Sequence, residues 1–414
     1  MKYLHRQIIT NLVLSLIAVV NISAVGADDI NKYIISSKAD LLSNIVNESG
    51  ELCSNKDKIC YFINPRSVVG DVVFKKTIIW DFSQSLFIKT KNNIIFEESS
   101  RLILEGDGEL CLKAGMEPGE REVYKATVEF RGKGSLEALG KSKIRLYLNP
   151  ISEDKYLNPN IYYYREHIKI NREVGANIFI YMLVNDVFDL QNMRLFLSGN
   201  YALSQDMNAE ITNDVAWGVN NNGSKGFIPI SYGSKRNDSL MPFSGNFDGN
   251  GYTIRNLYVN GSDSTTEESG LFGRCQGRTG QPTMIENFTI DKCKVEGVEY
   301  TGVLAGVLIN VDVSNVNIAN SEIKSGTITG LLAGSVYNVT LDNIAIFFKG
   351  NSLPIFGVDI DEVLHGYSLK SCKDEDTLRS NNFSVPFPYN LDYNYFRITH
   401  NELIRLIPSN HWSN

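Results

Sequence analysis

Asp312-Val313-Ser314-Asn315-Val316-Asn317-Ile318 and, 28 residues on, Thr340-Leu341-Asp342-Asn343-Ile344-Ala345-Ile346 share one pattern, apolar–x–Asn–apolar–x–apolar. Met284-Ile285-Glu286-Asn287-Phe288-Thr289-Ile290 fits above them, and Thr253-Ile254-Arg255-Asn256-Leu257-Tyr258-Val259 above that, with the asparagines 31, 28 and 28 residues apart. A second element runs in phase with the first: Gly270-Leu271-Phe272-Gly273, Gly302-Val303-Leu304-Ala305-Gly306 and Gly330-Leu331-Leu332-Ala333-Gly334. Two elements holding phase at a period between 20 and 50 residues mark a repeat architecture, in which each unit buries its face on its neighbours. Apolar residues fall at every second position and no helical stripe appears, so each unit reads as one β-helical coil stacked on the next at about 4.8 Å.

The pattern gives the repeated residues structural roles. Asn tolerates the left-handed conformation at a corner, and asparagines one coil apart can pair amide to amide. The spacing therefore predicts Asn287, Asn315 and Asn343 at one corner of successive coils with side chains directed inward, and Asn256 above them. Glycines at 270, 302 and 330 let backbone pass where a side chain would clash.

Upstream, Thr77–Trp80, Leu86–Ile88, Ile94–Phe96, Leu102–Leu104 and Leu110–Leu112 recur every seven or eight residues between turn formers such as Asn92-Asn93 and Gly106-Asp107-Gly108. Ala126–Phe130, Ser135–Ala138 and Ile144–Leu148 continue the series. Strands this short cannot close a core alone, which again argues for stacked coils. The expected fold is all-β, a right-handed parallel β-helix with a C-terminal non-repeat cap or tail.

The resulting division is a signal peptide at 1–27, an N-terminal lead-in at 28–76, β-helical coils at 77–175, Asn/Gly repeats at 176–346 and the cap or tail at 347–414. Residues 1–27 carry a basic start (Lys2, Arg6), an apolar run from Ile8 to Val20 and small residues at Val25-Gly26-Ala27. That layout implies export, to the cell surface or the extracellular space, with the periplasm the other compartment open to it. The apolar run is broken by Asn11 and Ser15 and is too short to span a bilayer, so no stable membrane span is expected after cleavage. Cleavage removes Lys2 and Arg6 from the 40 basic residues and none of the 47 acidic ones, taking the net charge from −7 to −9. An acidic chain lacks the clustered cations that bind phosphate backbones, so nucleic acid is not an expected partner. Six cysteines (Cys53, Cys60, Cys111, Cys275, Cys293, Cys372) in an exported chain suggest disulfides, Cys53 and Cys60 being close enough to bridge a local loop.

Gly199-Asn200-Tyr201-Ala202-Leu203-Ser204-Gln205-Asp206-Met207-Asn208-Ala209, Gly226-Phe227-Ile228-Pro229-Ile230 and Pro242-Phe243-Ser244-Gly245-Asn246-Phe247-Asp248-Gly249-Asn250-Gly251-Tyr252-Thr253-Ile254 together resemble the module that precedes the Gly-Leu-Phe-Gly repeats, or GLUG motifs, of filamentous-haemagglutinin-like exoproteins. The upstream stretch from Ala39 to Pro150 is similar to the coils before that module, so the resemblance spans roughly 36–346. It implies a right-handed β-helix and a secreted or surface-displayed bacterial adhesin passenger whose partner is a host-cell surface protein or glycan. The chain departs from such exoproteins in having no recognisable two-partner secretion domain.

Catalytic and cofactor motifs fit poorly. Gly140-Lys141-Ser142 has serine at 135 where a phosphate-binding loop needs glycine. Asn246–Gly251 opens like a calcium loop, but Leu257 stands where a bidentate glutamate belongs. No cofactor, metal or catalytic residue is assigned. A β-helical polysaccharide lyase or glycosidase is the competing reading, with Asp206, Asp214, Asp248, Asp291 and Asp312 as candidate acids. These are not expected to line one face. A passive surface scaffold is the third reading. His167, His365, His400 and His411 read as ordinary surface residues. The loops Tyr162–Arg165, Trp217–Lys225, Ser231–Leu240 and Asp263–Glu268 interrupt the repeat and are the expected contact surfaces, since repeat proteins bind through such insertions.

Overall fold

A computed structural model describes residues 33–43, 60–63, 70–81, 85–118, 126–149, 164, 166–214, 217, 226–231, 241–261, 267–324, 327–349, 356–359, 368–370 and 393–398. The expected signal peptide lies outside them. The fold is a parallel β-helix of about six stacked coils, nearly all strand, held together by one long sheet of 16 strands. Among the described residues helix is confined to short segments such as 38–43 and 187–192.

In the first half each coil contributes three strands. Strands 72–74, 94–96 and 128–130 pair in parallel, as do 77–80, 101–104, 135–138 and 168–170. Strands 85–89, 110–113, 143–148 and 177–184 form the start of the long sheet. Two strands of the lead-in, Tyr33–Ile35 and Cys60–Ile63, already pair with the first coil. Alternation drives these strands: in Lys143–Leu148 the residues Ile144, Leu146 and Leu148 point into the core, while Arg145 and Tyr147 point out. Register places like on like. Phe74 stacks on Phe96 at 4.6 Å and Phe96 on Phe130 at 4.8 Å, a ring column down one wall of the interior.

In the second half the long sheet continues through 201–203, 247–248, 283–291, 305–319 and 333–349, flanked by two narrow sheets (258–260, 294–296, 322–324 and 268–269, 300–301, 328–329). The 28-residue offset of the repeat is the pairing offset, Val313 with Leu341 and Ile285 with Val313. Asn310, Asn315 and Asn320 all have positive φ near 52°, so the continuous strand 305–319 and the residue after it turn three left-handed corners. Val311, Val313, Val316 and Ile318 are buried between them. At Gly302 the constraint is closeness: a Cβ there would lie 2.5 Å from the Cα of Ala333 in the next coil.

The ladder is present, with two corrections. Asn315 donates to Asn287 Oδ1 at 2.9 Å and Asn343 to Asn315 Oδ1 at 2.8 Å. The side chains run along the outer edge of the corner, half-buried or exposed, rather than inward. Asn256 does not join them. Thr253 pairs with Thr289, which sets Asn256 level with Lys292, and its amide bonds Asn208. The head of the ladder is instead Asp248, whose Oδ1 accepts from Asn287 at 3.1 Å. The sequence alignment slips because Gly249–Tyr252 inserts an extra bulge, so matching Asn to Asn moved the first unit by one corner.

In the tail, 356–359 pairs in parallel with 333–336, and 393–398 pairs antiparallel with 344–349 and with 368–370. The disulfide expectation is corrected for three cysteines. Cys111, Cys275 and Cys293 are free and buried. Cys53 and Cys372 lie outside the described residues, as does the side chain of Cys60.

Candidate functional site

Among the described residues between 170 and 226, only strands of the long sheet pair from coil to coil, and that sheet links the two halves. There the solenoid bends. Tyr147 and Asp248 lie three strands apart in the sheet, and Arg145 and Glu286 four, or roughly 14 and 19 Å along a straight stack at about 4.8 Å per strand. Yet the Tyr147 hydroxyl donates to Asp248 Oδ2 at 2.6 Å, and Arg145 Nη1 stands 3.5 Å from Glu286. The outer faces of the two halves have closed on each other, making a crease.

The floor of the crease is apolar and stacked. Tyr147 lies on Tyr181 at 4.8 Å and 7° between planes, and Cys111, Met116, Leu183 and Ala202 are buried beside them. Lys113 sits over the Tyr147 ring at 5.0 Å, a cation–π contact strengthened where water is excluded. Arg145 holds the centre, with Nε 2.8 Å from Glu109 and Nη1 3.9 Å from Asp248. Asp248 also accepts from the amides of Asn250 and Asn287. One rim is strapped: Glu117 N–H donates to Ser204 O at 2.8 Å, the Tyr252 hydroxyl donates to Glu117, and Lys89 pairs with Glu117 while lying over Tyr252.

Burial sets the electrostatics. It pushes the Tyr147 and Tyr181 hydroxyls well above the ordinary phenol range, aided by the charge of Asp248, and the Cys111 thiol up to about 12. It also raises the Glu286 carboxyl, with Asp248 adding to the rise and Arg145 opposing it. Lys143 is pulled down by burial and by Arg145. Burial opposes the charge on Arg145 too, but Tyr147, Glu109 and Glu286 outweigh it and hold its proton more firmly than usual. The crease thus contains a carboxylate pair on adjacent strands, Asp248 opposite Glu286 in register, facing one guanidinium.

Of the five acids named from the sequence, only Asp248 reaches this cluster. The exposed Asp206 accepts from Thr253 N–H and pairs with the half-buried Arg255, and Asp214 ends the short turn 210–213. Asp291 is buried and accepts from Asn320, while Asp312 stands half-buried on strand 305–319. Glu109, Arg145 and Glu286 were not singled out. The signal for Glu286 was in the sequence: Asn246-Phe247-Asp248 aligned with Met284-Ile285-Glu286 would have placed the two acids together. The expected contact loops also need correction where they are described. Tyr164 is buried edge-on to Phe130, and Trp217 is buried with its indole N–H donating to Gly226 O. Both are anchors. His167 stacks on Phe130 at 5.3 Å and is part of the coil. His365, His400 and His411 lie outside the described residues, as do residues 232–240.

No family model matches the chain and no solved structure matches it. Halomucin of Haloquadratum walsbyi (strain DSM 16790 / HBSQ001) is 36% identical over 127 residues, covering 30% of this chain and 1% of halomucin. The chain therefore spans only a very small part of that relative. Among the described residues no helix is long and apolar enough to cross a membrane.

Proposed function

We propose that the chain is an exported, surface-displayed β-helical binding element that engages a host-cell surface protein or glycan along its flank. The observation that carries this reading is the register-locked outer face of the second half, where Asp312 lies beside Thr340, Ser314 beside Asp342 and Ile309 beside the exposed Tyr337. Polar groups repeating at the coil spacing, with an exposed tyrosine beside them, suit an extended or repetitive ligand, which is how stacked-repeat proteins bind. The resemblance of the Asn/Gly repeats to GLUG-bearing exoproteins supports the adhesin class, and the likeness to a stretch of halomucin, by name a mucin, supports an extracellular setting.

Asp248 and Glu286 favour a second reading, a polysaccharide-cleaving enzyme, because paired carboxylates beside an arginine can act as acid and base. Against it, the Asp248 carboxylate is only 3% exposed and covered by Tyr147. One experiment separates the two. The purified chain is screened on host-cell surfaces and a glycan array, alongside a polysaccharide depolymerisation assay. Binding without cleavage is expected, weakened by Tyr337→Ala. Cleavage abolished by Asp248→Asn or Glu286→Gln would replace the binding reading with the enzyme, and silence in both assays would favour a scaffold.

A further inference from the structure

We propose that the crease is a pH-sensitive joint, in which the outer faces of the two solenoid halves close more tightly when Glu286 is protonated and part more readily when it is ionised. The geometry supplies a two-part body joined by one sheet, with its contact surface crossed by titratable groups from every strand that meets there. Glu109 and Lys113 come from the second coil, Lys143, Arg145 and Tyr147 from the third, and Tyr181 from the fourth. Asp248 and Glu286 come from the second half, and the Lys89–Glu117–Tyr252 strap closes the rim. Three carboxylates converge on Arg145, and they are not equally served. Glu109 has the short contact at 2.8 Å, Asp248 has Tyr147 and two amides, and Glu286 has the guanidinium at 3.5 Å with Asp248 as its neighbour in register.

The sign follows from linkage. Glu286 has a raised proton affinity in the closed crease because burial and Asp248 both oppose its charge, and opening would return it to water and to an ordinary carboxyl. The closed form therefore binds the proton more strongly. Lowering the pH through the window between the closed-state value and the ordinary one stabilises closure, and above that window the cost of the buried charge is fully present. Each unit of difference changes the closed-to-open ratio about tenfold. This is the reverse of the response expected if Glu286 were simply the anion of a stabilising ion pair. Opening is a local event that leaves each half folded, since the two large cores lie on opposite sides of the bend.

Cys111 reports on the joint directly. Its thiol lies in the crease floor, whereas Cys275 and Cys293 are buried in the core of the second half. The full chain is exposed to a thiol reagent at about pH 7.5 and about pH 5, the range where a raised carboxyl titrates. Labelling of each cysteine is read by peptide mass spectrometry and divided by that of free cysteine at the same pH. The expected result is a several-fold fall in the relative labelling of Cys111 in acid, with Cys275 and Cys293 unchanged and Glu286→Gln slow at both pH values. Cys111 labelling that ignores pH or quickens in acid would overturn the proposal. So would a Glu286→Gln chain that keeps the wild-type response, or Cys275 and Cys293 labelling that follows Cys111.

Discussion

Replacing Asn315 by alanine tests whether the asparagine ladder holds the second half together or merely decorates its edge. The side chain donates to Asn287 Oδ1 at 2.9 Å and accepts from Asn343 Nδ2 at 2.8 Å, so the substitution breaks the ladder on both sides. Each bond is half-buried or exposed and is worth about 0.5–1.5 kcal/mol net. The backbone adds a second loss, because Asn315 has φ 53° and alanine resists the left-handed region by about 1–2 kcal/mol. Together these predict a destabilisation of about 2–5 kcal/mol. Asn315→Gly separates the contributions, since glycine keeps the corner and loses only the bonds, and should cost about half as much. Urea unfolding monitored by circular dichroism gives both values from the shift in midpoint at constant slope. An alanine variant within about 0.5 kcal/mol of wild type, the range of an ordinary surface change, would refute the ladder. Equal losses for alanine and glycine would refute the strain argument.

Arg145→Met leaves Glu109, Asp248 and Glu286 facing one another without their shared cation, and should cost about 3–5 kcal/mol in the same assay. Glu286→Gln should do the opposite and stabilise the chain near neutral pH, because it removes a charge that the closed crease disfavours; a loss would contradict the sign. Phe96→Ala removes the middle ring of the Phe74–Phe96–Phe130 column and should lower stability by about 3–5 kcal/mol. Gly302→Ala drives a Cβ to 2.5 Å from Ala333 and should cost about 1–3 kcal/mol, read as a fall in thermal midpoint.

The coil architecture was legible because a parallel β-helix writes its pairing register into the sequence. The 28-residue period between Asn315 and Asn343 is the offset at which Val313 meets Leu341, and short alternating runs such as 101–104 became strands on all sides of the coil. The repeat was less legible where it was irregular. Gly249–Tyr252 lengthens one turn, so Asn256 was matched to the wrong corner and the pairing of Asp248 with Glu286 went unseen. The crease itself has no local signature. Arg145 and Tyr147 are outward residues of an ordinary strand, and what buries them are groups such as Asp248 and Glu286 from strands about 100 or more residues downstream. Cysteine count misled for a related reason: Cys111 lies in the crease floor and Cys275 and Cys293 in the core of the second half, all three free and buried, and parity in sequence says nothing about bonding geometry.

The bend is the claim on which the candidate site rests, and a double-mutant cycle between Tyr147→Phe and Asp248→Asn measures it most directly. The two residues are three strands apart in the long sheet, about 14 Å in a straight solenoid, where their effects on stability should add to within about 0.5 kcal/mol. With the outer faces closed they share a 2.6 Å hydrogen bond under Arg145, and a coupling of about 1–3 kcal/mol is expected for contacting groups in one network. Coupling of that size supports the crease. Simple additivity would mean that the solenoid is straight and that the cluster around Arg145 does not form.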